Sequence, residues 1–353
     1  MLAVTLSLPI TSAASAATRY AAPGGTGADP CANPGKPCSV FTAADKNAPG
    51  STIEAGDVVE LAPGTYAELD REIGEVATVS LPEGVTVRGE SDKAKPVFVL
   101  RPGEFGDGVF YIPTSAQVAD IEIRDRSGHG PAIDVSGGTM DRVIARSAGS
   151  AEPTCIFSQG TIRSSACLSS NGRAAIGINV ASKGTFVGVI RNSTMIATGP
   201  GSVGMQFTYS AFKRGLKATI SGVGVLAKGE EKDVIANARP LNKGRGADVR
   251  IELQASSYAT VETEAIHGGT VAVTRPGTNG NIRALPLLAV DNLHQLPGSP
   301  TIDMGTIDSA SDALDIDEQP RRSAGGRISG PTSSGQPPPM PIRSPSRCLA
   351  NTC

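Results

Sequence analysis

Tryptophan is absent from the 353 residues, and aromatic side chains make up only 4% of them. Broad platforms for stacking sugar rings or unpaired bases are therefore scarce. Charge of one sign is also missing: 32 Lys and Arg face 34 Asp and Glu, a formal net charge of −2. With no basic run, nucleic acid is excluded as a main partner. Three His and no Cys-x-x-Cys pair leave no zinc set. No stretch approaches the apolar length that spans a bilayer. A Gly-x-Ser-x-Gly elbow is lacking, and Gly24-Gly25-Thr26-Gly27 is not followed by the Lys-Ser/Thr of a phosphate loop. Neither a metal nor a cofactor is implied.

What is there is a repeat. An apolar-x-x-apolar-x-apolar signature occurs at Val118, Ile121 and Ile123, then at Met140, Val143 and Ala145. A third copy is Ile162, Ser165 and Cys167, each one 22 residues on. The phase returns at Ile190, Ser193, Met195 and at Ile220, Val223, Val225, after steps of 28 and 30. Units of this length are too short for two helices and show no 3.6 period. They fit a coil of short strands with tight turns, stacked so that strands of successive coils pair in parallel. The 42 Gly and 26 Pro suit the turns. One long domain is expected.

Leu2 to Ile10 is a short apolar stretch, followed by the small-x-small sequence Ala14-Ser15-Ala16. It reads as an export signal over residues 1–16, although no Lys or Arg precedes it. The cysteines agree with export. Cys31 and Cys38 bracket a turn-rich segment, and Cys155 and Cys167 lie across an expected turn. Both pairs suit local disulfides in an oxidising compartment. Cys167 also holds an inward repeat position, so a free buried thiol stands as the alternative. Val40 to Asn47 has an amphipathic pattern (Val40, Phe41, Ala44) that predicts a short helix covering the first coil.

Several segments carry a family resemblance. Tyr20-Ala-Ala-Pro-Gly-Gly25, the Cys31/Cys38 pair, Gly56-Asp57-Val58-Val59-Glu60-Leu61-Ala62-Pro63-Gly64-Thr65-Tyr66 and Val85-Thr86-Val87-Arg88-Gly89 resemble secreted, pectate-lyase-like right-handed parallel β-helix proteins of bacteria. Leu296-Pro297-Gly298-Ser299-Pro300-Thr301-Ile302-Asp303-Met304-Gly305 and Asp315-Ile316-Asp317-Glu318-Gln319-Pro320-Arg321 resemble the "choice-of-anchor Q" region that closes many of them. The resemblance implies an all-β solenoid over 17–295 with an N-terminal cap and a closing segment at 296–322. The family continues from Pro-Arg into Asp-Ile/Leu-Gly-Ala-Tyr-Glu, whereas this chain runs into a Pro/Ser/Arg-rich tail. Reading Arg327 to Gly335 two nucleotides later permits the family sequence. We therefore expect a frameshift between Arg321 and Arg327, and a disordered tail over 323–353.

Enzymes of this architecture work on an exposed parallel sheet. The best candidate here is Asp120-Ile121-Glu122-Ile123-Arg124: with both Ile inward, Asp120, Glu122 and Arg124 share the solvent face. Residues i and i+2 of a strand lie about 6.5–7 Å apart, within the range of inverting glycosidase carboxylates. One coil on, Arg142, Ile144 and Arg146 fall beside them, then Ser164, Ala166 and Leu168. No carboxylate column forms, so an Asp120–Arg142 cross-strand pair is the simpler account. Gly128-His129-Gly130 echoes a polygalacturonase motif without its partners, and a turn is the plain reading of His129. His267-Gly268-Gly269 is a weaker candidate still, and His294 is expected to pack or solvate near the C-terminal end. Asp303, Asp315 and Asp317 hold part of a calcium pattern, for which turn-forming Asx hydrogen bonds are the simpler explanation.

The sequence thus predicts an exported or surface β-helix, monomeric and noncatalytic, that faces a polysaccharide or cell-envelope glycan. The rival is a polysaccharide lyase, glycoside hydrolase or epimerase acting on the exposed sheet.

Overall fold

The computed structural model describes residues 16–67, 78–91, 93–102, 108–149, 152–170, 172–182, 185–211, 216–240, 248–266, 269–302, 308–311 and 313–320. The expected export signal, apart from Ala16, and the tail beyond Pro320 lie outside these, as do His267 and Asp303.

The chain winds as a parallel β-helix, because each strand bonds the strand one lap away rather than its chain neighbour. One face runs from Thr18–Ala21 through Val58–Leu61, Thr86–Gly89 and Gln117–Ala119 to Lys217–Val223, Asp248–Gln254 and Thr270–Val273. A second stacks Thr65–Tyr66, Val97–Leu100, Glu122–Asp125, Ile144–Ala148, Ala166–Ser170, Thr194–Thr198 and Leu226–Lys228. A third runs from Val79–Ser80 and Phe110–Pro113 to Lys232–Pro240 and Val261–Ala265. The nine-residue strands Ile133–Asp141 and Cys155–Arg163 serve both the third and first faces. They bend between the two at a bulge. Glycine is required there: a Cβ on Gly160 would lie 2.2 Å from the Gly138 carbonyl oxygen of the coil below.

The register explains the repeat. Val118 pairs with Met140, Met140 with Ile162, and Ile162 with Ile190. Ile123, Ala145, Cys167 and Met195 align in the same way on the second face. All eight are fully buried, each large one contributing roughly 1.5–3 kcal/mol of apolar burial. The fifth copy is displaced from its expected place. Ile190 pairs with Gly222 and Met195 with Ala227, so the step is 32 residues, and Ile220 lies two positions early.

Between the first and second faces the chain turns through one left-handed residue per coil: Asp120, Arg142, Ser164, Asn192, Gly224 and Ala255, with φ between 46° and 66°. The next position points inward. Where it is Ser165, Ser193 or Ser256, the hydroxyl accepts the amide of the corresponding residue one coil earlier, at 3.0–3.2 Å. Each donates to the carbonyl two residues back as well. The hydroxyls that interrupt the apolar signature thus form a satisfied internal ladder.

Most of the described aromatics are buried. Tyr66 stacks on Phe98 at 4.6 Å, and Phe98 meets Phe110 edge-on. Phe186 lies between Phe157 and Phe207.

The predicted helix exists as a single turn, Val40–Ala44, with Ser39 as its N-cap. It is shorter than Val40–Asn47 because the Asp45 carboxylate accepts the Asn47 and Ser80 amides, pulling the chain out of helix. Val40, Ala43 and Ala44 are buried, while Phe41 is half-exposed, so the apolar face differs from the predicted one. Both disulfides are present, Cys31–Cys38 and Cys155–Cys167. The second crosses the core within one coil, which settles the state of Cys167.

After Ile282 the chain runs back along the solenoid. Asp308 pairs with Arg191, Ser311 with Asn192, the Leu314 carbonyl with Ser164, and Glu318 with Lys95. Leu293 and Ile316 pack on the outer side of the second face, against Ile144, Ala166, Leu168, Ile196 and Leu226. Ile144, Ala166 and Leu168 therefore point outward, as the coil arithmetic requires, but into a second apolar layer.

Candidate functional site

Asp120 does not share a strand with Glu122. It occupies the left-handed turn between Gln117–Ala119 and Glu122–Asp125, so flat-strand i, i+2 spacing does not apply. The residue is 8% exposed, and its carboxylate takes two bonds from Arg142, at 2.6 and 2.8 Å. Lys95 stands 3.5 Å away. Arg142 also donates to the buried Asp141, which Arg163 reaches at 3.0 Å. Burial works against the Arg142 charge, but the two carboxylates prevail and hold its pKa above the ordinary guanidinium value. The Asp120–Arg142 pair is thus the interaction that the one-coil spacing indicated.

Glu122 and Arg124 do lie on one strand, and they grip each other through two bonds of 2.9 Å. That hydrogen bonding raises the Arg124 pKa. Arg146, beside Arg124 on the next coil, reaches Glu122 at 3.4 Å and donates to the Asp291 carbonyl at 2.8 Å. With Arg126 these residues line a shallow groove of about 430 Å³. Asp125 forms part of it but is buried, accepting from Ser127 and Ser147.

His129 sits exposed in a tight turn. Its amide donates to the Ser127 hydroxyl, which returns a bond to the His129 carbonyl. His294 carries more structure than expected. Its ring lies between Asp291, on Nδ1, and both oxygens of Asp317, on Nε2 at 3.1–3.2 Å. The Asp317 bond raises the His294 pKa against burial, Asp291 adds to it, and the result is about 9. Asp291 is pushed up by burial, yet the Leu293 and His294 amides and the imidazole bring it below its usual value. Asp315 accepts the Asp317 and Gln319 amides, as an Asx turn does.

A larger groove of about 850 Å³, not singled out from the sequence, lies on the outer side of the first face. Its middle strand, Asp248–Gln254, presents Asp248, Arg250, Glu252 and Gln254, with Val249, Ile251 and Leu253 pointing into the core. Lys217, Thr219 and Ser221 stand directly beside the first three on the previous coil. Arg250 pairs with Glu252 at 2.6 Å, and Thr270 donates to Asp248. From one coil further back, Arg191 donates to the Ser221 carbonyl at 2.7 Å and to Asp308, fixing that wall. The alternation of Asp248 to Gln254 was the available signal. Its location beyond the regular 22-residue coils concealed it.

No family model matches the chain, and no curated protein matches it. Among solved structures, the pectate lyase Pel9A aligns over 88% of this chain and 97% of its own, with 14% identity and a TM-score of 0.39. At that identity no residue role is transferred. Among the described residues, no helix is long and apolar enough to cross a membrane.

Proposed function

We propose that the protein is an exported, noncatalytic β-helix that binds glycan or neighbouring cell-envelope material along its outer sheet. The observation that carries this reading is the first-face groove, an open track of hydrogen-bonding side chains three coils long on a rigid scaffold. Cleavage needs a free acid and base, and Asp120 and Glu122 each already hold a guanidinium. Two disulfides accord with an oxidising compartment. The same reading takes the winding as right-handed, the usual hand of parallel crossovers. It keeps residues 1–16 as an export signal, the Val40–Ala44 turn as part of the N-terminal cap and 296–322 as an anchor-type closing segment. The frameshift is retained as well, and resequencing the locus tests it.

To test the function, purified protein is incubated with a panel of uronic-acid and neutral polysaccharides. Retention in affinity gels is read beside unsaturated-product absorbance and reducing ends. Retention without product is expected. Product that disappears in both Asp120→Ala and Glu122→Ala would establish the enzyme instead.

A further inference from the structure

We infer that the first-face groove is a subsite for a neutral, hydroxyl-rich glycan chain laid across the coils, with Arg250 and Glu252 setting its specificity. The inference rests on the binding reading above and names the ligand class for that site.

Charge is the first argument. Among the described lining residues, Lys217 and Arg250 are balanced by Asp248 and Glu252. A groove meant for a polyanion would show an excess of cations. The second-face groove leans that way, with Arg124, Arg126 and Arg146 against Glu122 and Asp125. The two surfaces are therefore built for different ligands.

Hydrogen-bonding capacity is the second. Arg250 and Glu252 form an ion pair whose side chains are 67% and 49% exposed, leaving donors and acceptors open to solvent. A guanidinium beside a carboxylate offers a donor fork and acceptor oxygens to vicinal hydroxyls, which both give and receive bonds. Thr219, beside Arg250, and Ser221, beside Glu252, extend the same dual character.

Shape is the third. The groove spans the strands Lys217–Val223, Asp248–Gln254 and Thr270–Val273, spaced at roughly 4.8 Å. One sugar unit of an extended chain is about as long as one such step, so successive units meet successive rungs. Ala272, beside Arg250 on the last rung, keeps that end low. No aromatic side chain is among the described residues that line the groove, so the contacts they offer a ligand are hydrogen bonds rather than ring stacking.

The test uses the full-length protein, titrated calorimetrically with a linear neutral oligosaccharide from glucan or mannan and with an oligogalacturonate, at low and high salt. Binding of a neutral chain that is insensitive to salt is expected. Arg250→Ala and Glu252→Gln should each weaken it about tenfold or more, the loss of a charge-assisted bond, while Arg126→Ala leaves it unchanged. Both groove positions are exposed, and an unaltered melting curve confirms that the variants fold. Neutral binding that ignores both substitutions overturns the inference. Binding of the oligogalacturonate alone, weakened by salt and by Arg126→Ala, also overturns it but leaves the binding role standing. Failure of every polymer removes both.

Discussion

At Ser193 a hydroxyl occupies a slot where Ile121 and Val143 stand in earlier coils, and it is fully buried. A buried hydroxyl is tolerated only if it is bonded. Ser193 accepts the Ser165 amide at 3.2 Å and donates to the Arg191 carbonyl at 2.7 Å. Ser193→Ala therefore removes little volume but strands an amide inside the core, at a cost of about 1–3 kcal/mol. Urea denaturation measures it, and a change within about 0.5 kcal/mol, as at an ordinary surface site, would show the ladder to be incidental. The sequence displayed Ser165 and Ser193 as breaks in an apolar pattern. It could not distinguish a tolerated polar residue from one that bonds the adjacent coil, because the partner amide belongs to a backbone whose position depends on the register.

On the scale of elements, the 22-residue step was legible because inward strand positions must repeat each lap. The slip at the fifth copy has a physical cause. Strand side chains alternate with a period of two, so Ile220, Val223 and Val225 satisfy the pattern almost as well as Gly222, Val225 and Ala227. Asp120 was misread for a related reason. The left-handed turn residue is Asp, Arg, Ser, Asn, Gly and Ala in successive coils, and in the three coils that carry the 22-residue step it is Asp120, Arg142 and Ser164, so no Gly or Asn marks it where Asp120 stands. The closing segment supplies a pH prediction at this scale. His294⁺ holds Asp291 and Asp317 together, with Arg146 bonded to the Asp291 carbonyl nearby. Its pKa is raised from 6.5 to about 9. A raised pKa in the folded state makes this contribution complete below the unfolded value, with loss as pH climbs through about 9. Thermal melts of wild type and His294→Gln should thus differ most at mildly acidic pH and converge above the raised pKa. A gap that persists unchanged into alkali would mean that the imidazole acts by packing rather than charge.

For the whole molecule, parallel winding followed from repeat length, but the second apolar layer did not. Its halves, Ile144 to Leu226 on the coils and Leu293 with Ile316 on the returning segment, are distant in sequence, and the returning half lies outside any regular strand whose alternation could mark it. That layer makes the closing segment part of the fold. Ile316 is fully buried against the second face. Ile316→Ala should cost about 2–5 kcal/mol, the range for large-to-small changes in a core. In a solenoid each element contacts only near neighbours, so the damage should stay local. The returning segment should detach before the coils melt, uncovering Ile144, Leu168 and Ile196. Hydrophobic-dye binding and proteolysis within 285–320 should then appear below the main thermal transition in Ile316→Ala. Leu296→Ala, at a side chain already 45% exposed, should show neither. A single cooperative transition that shifts as one, with no early dye binding, would instead make coils and closing segment one folding unit.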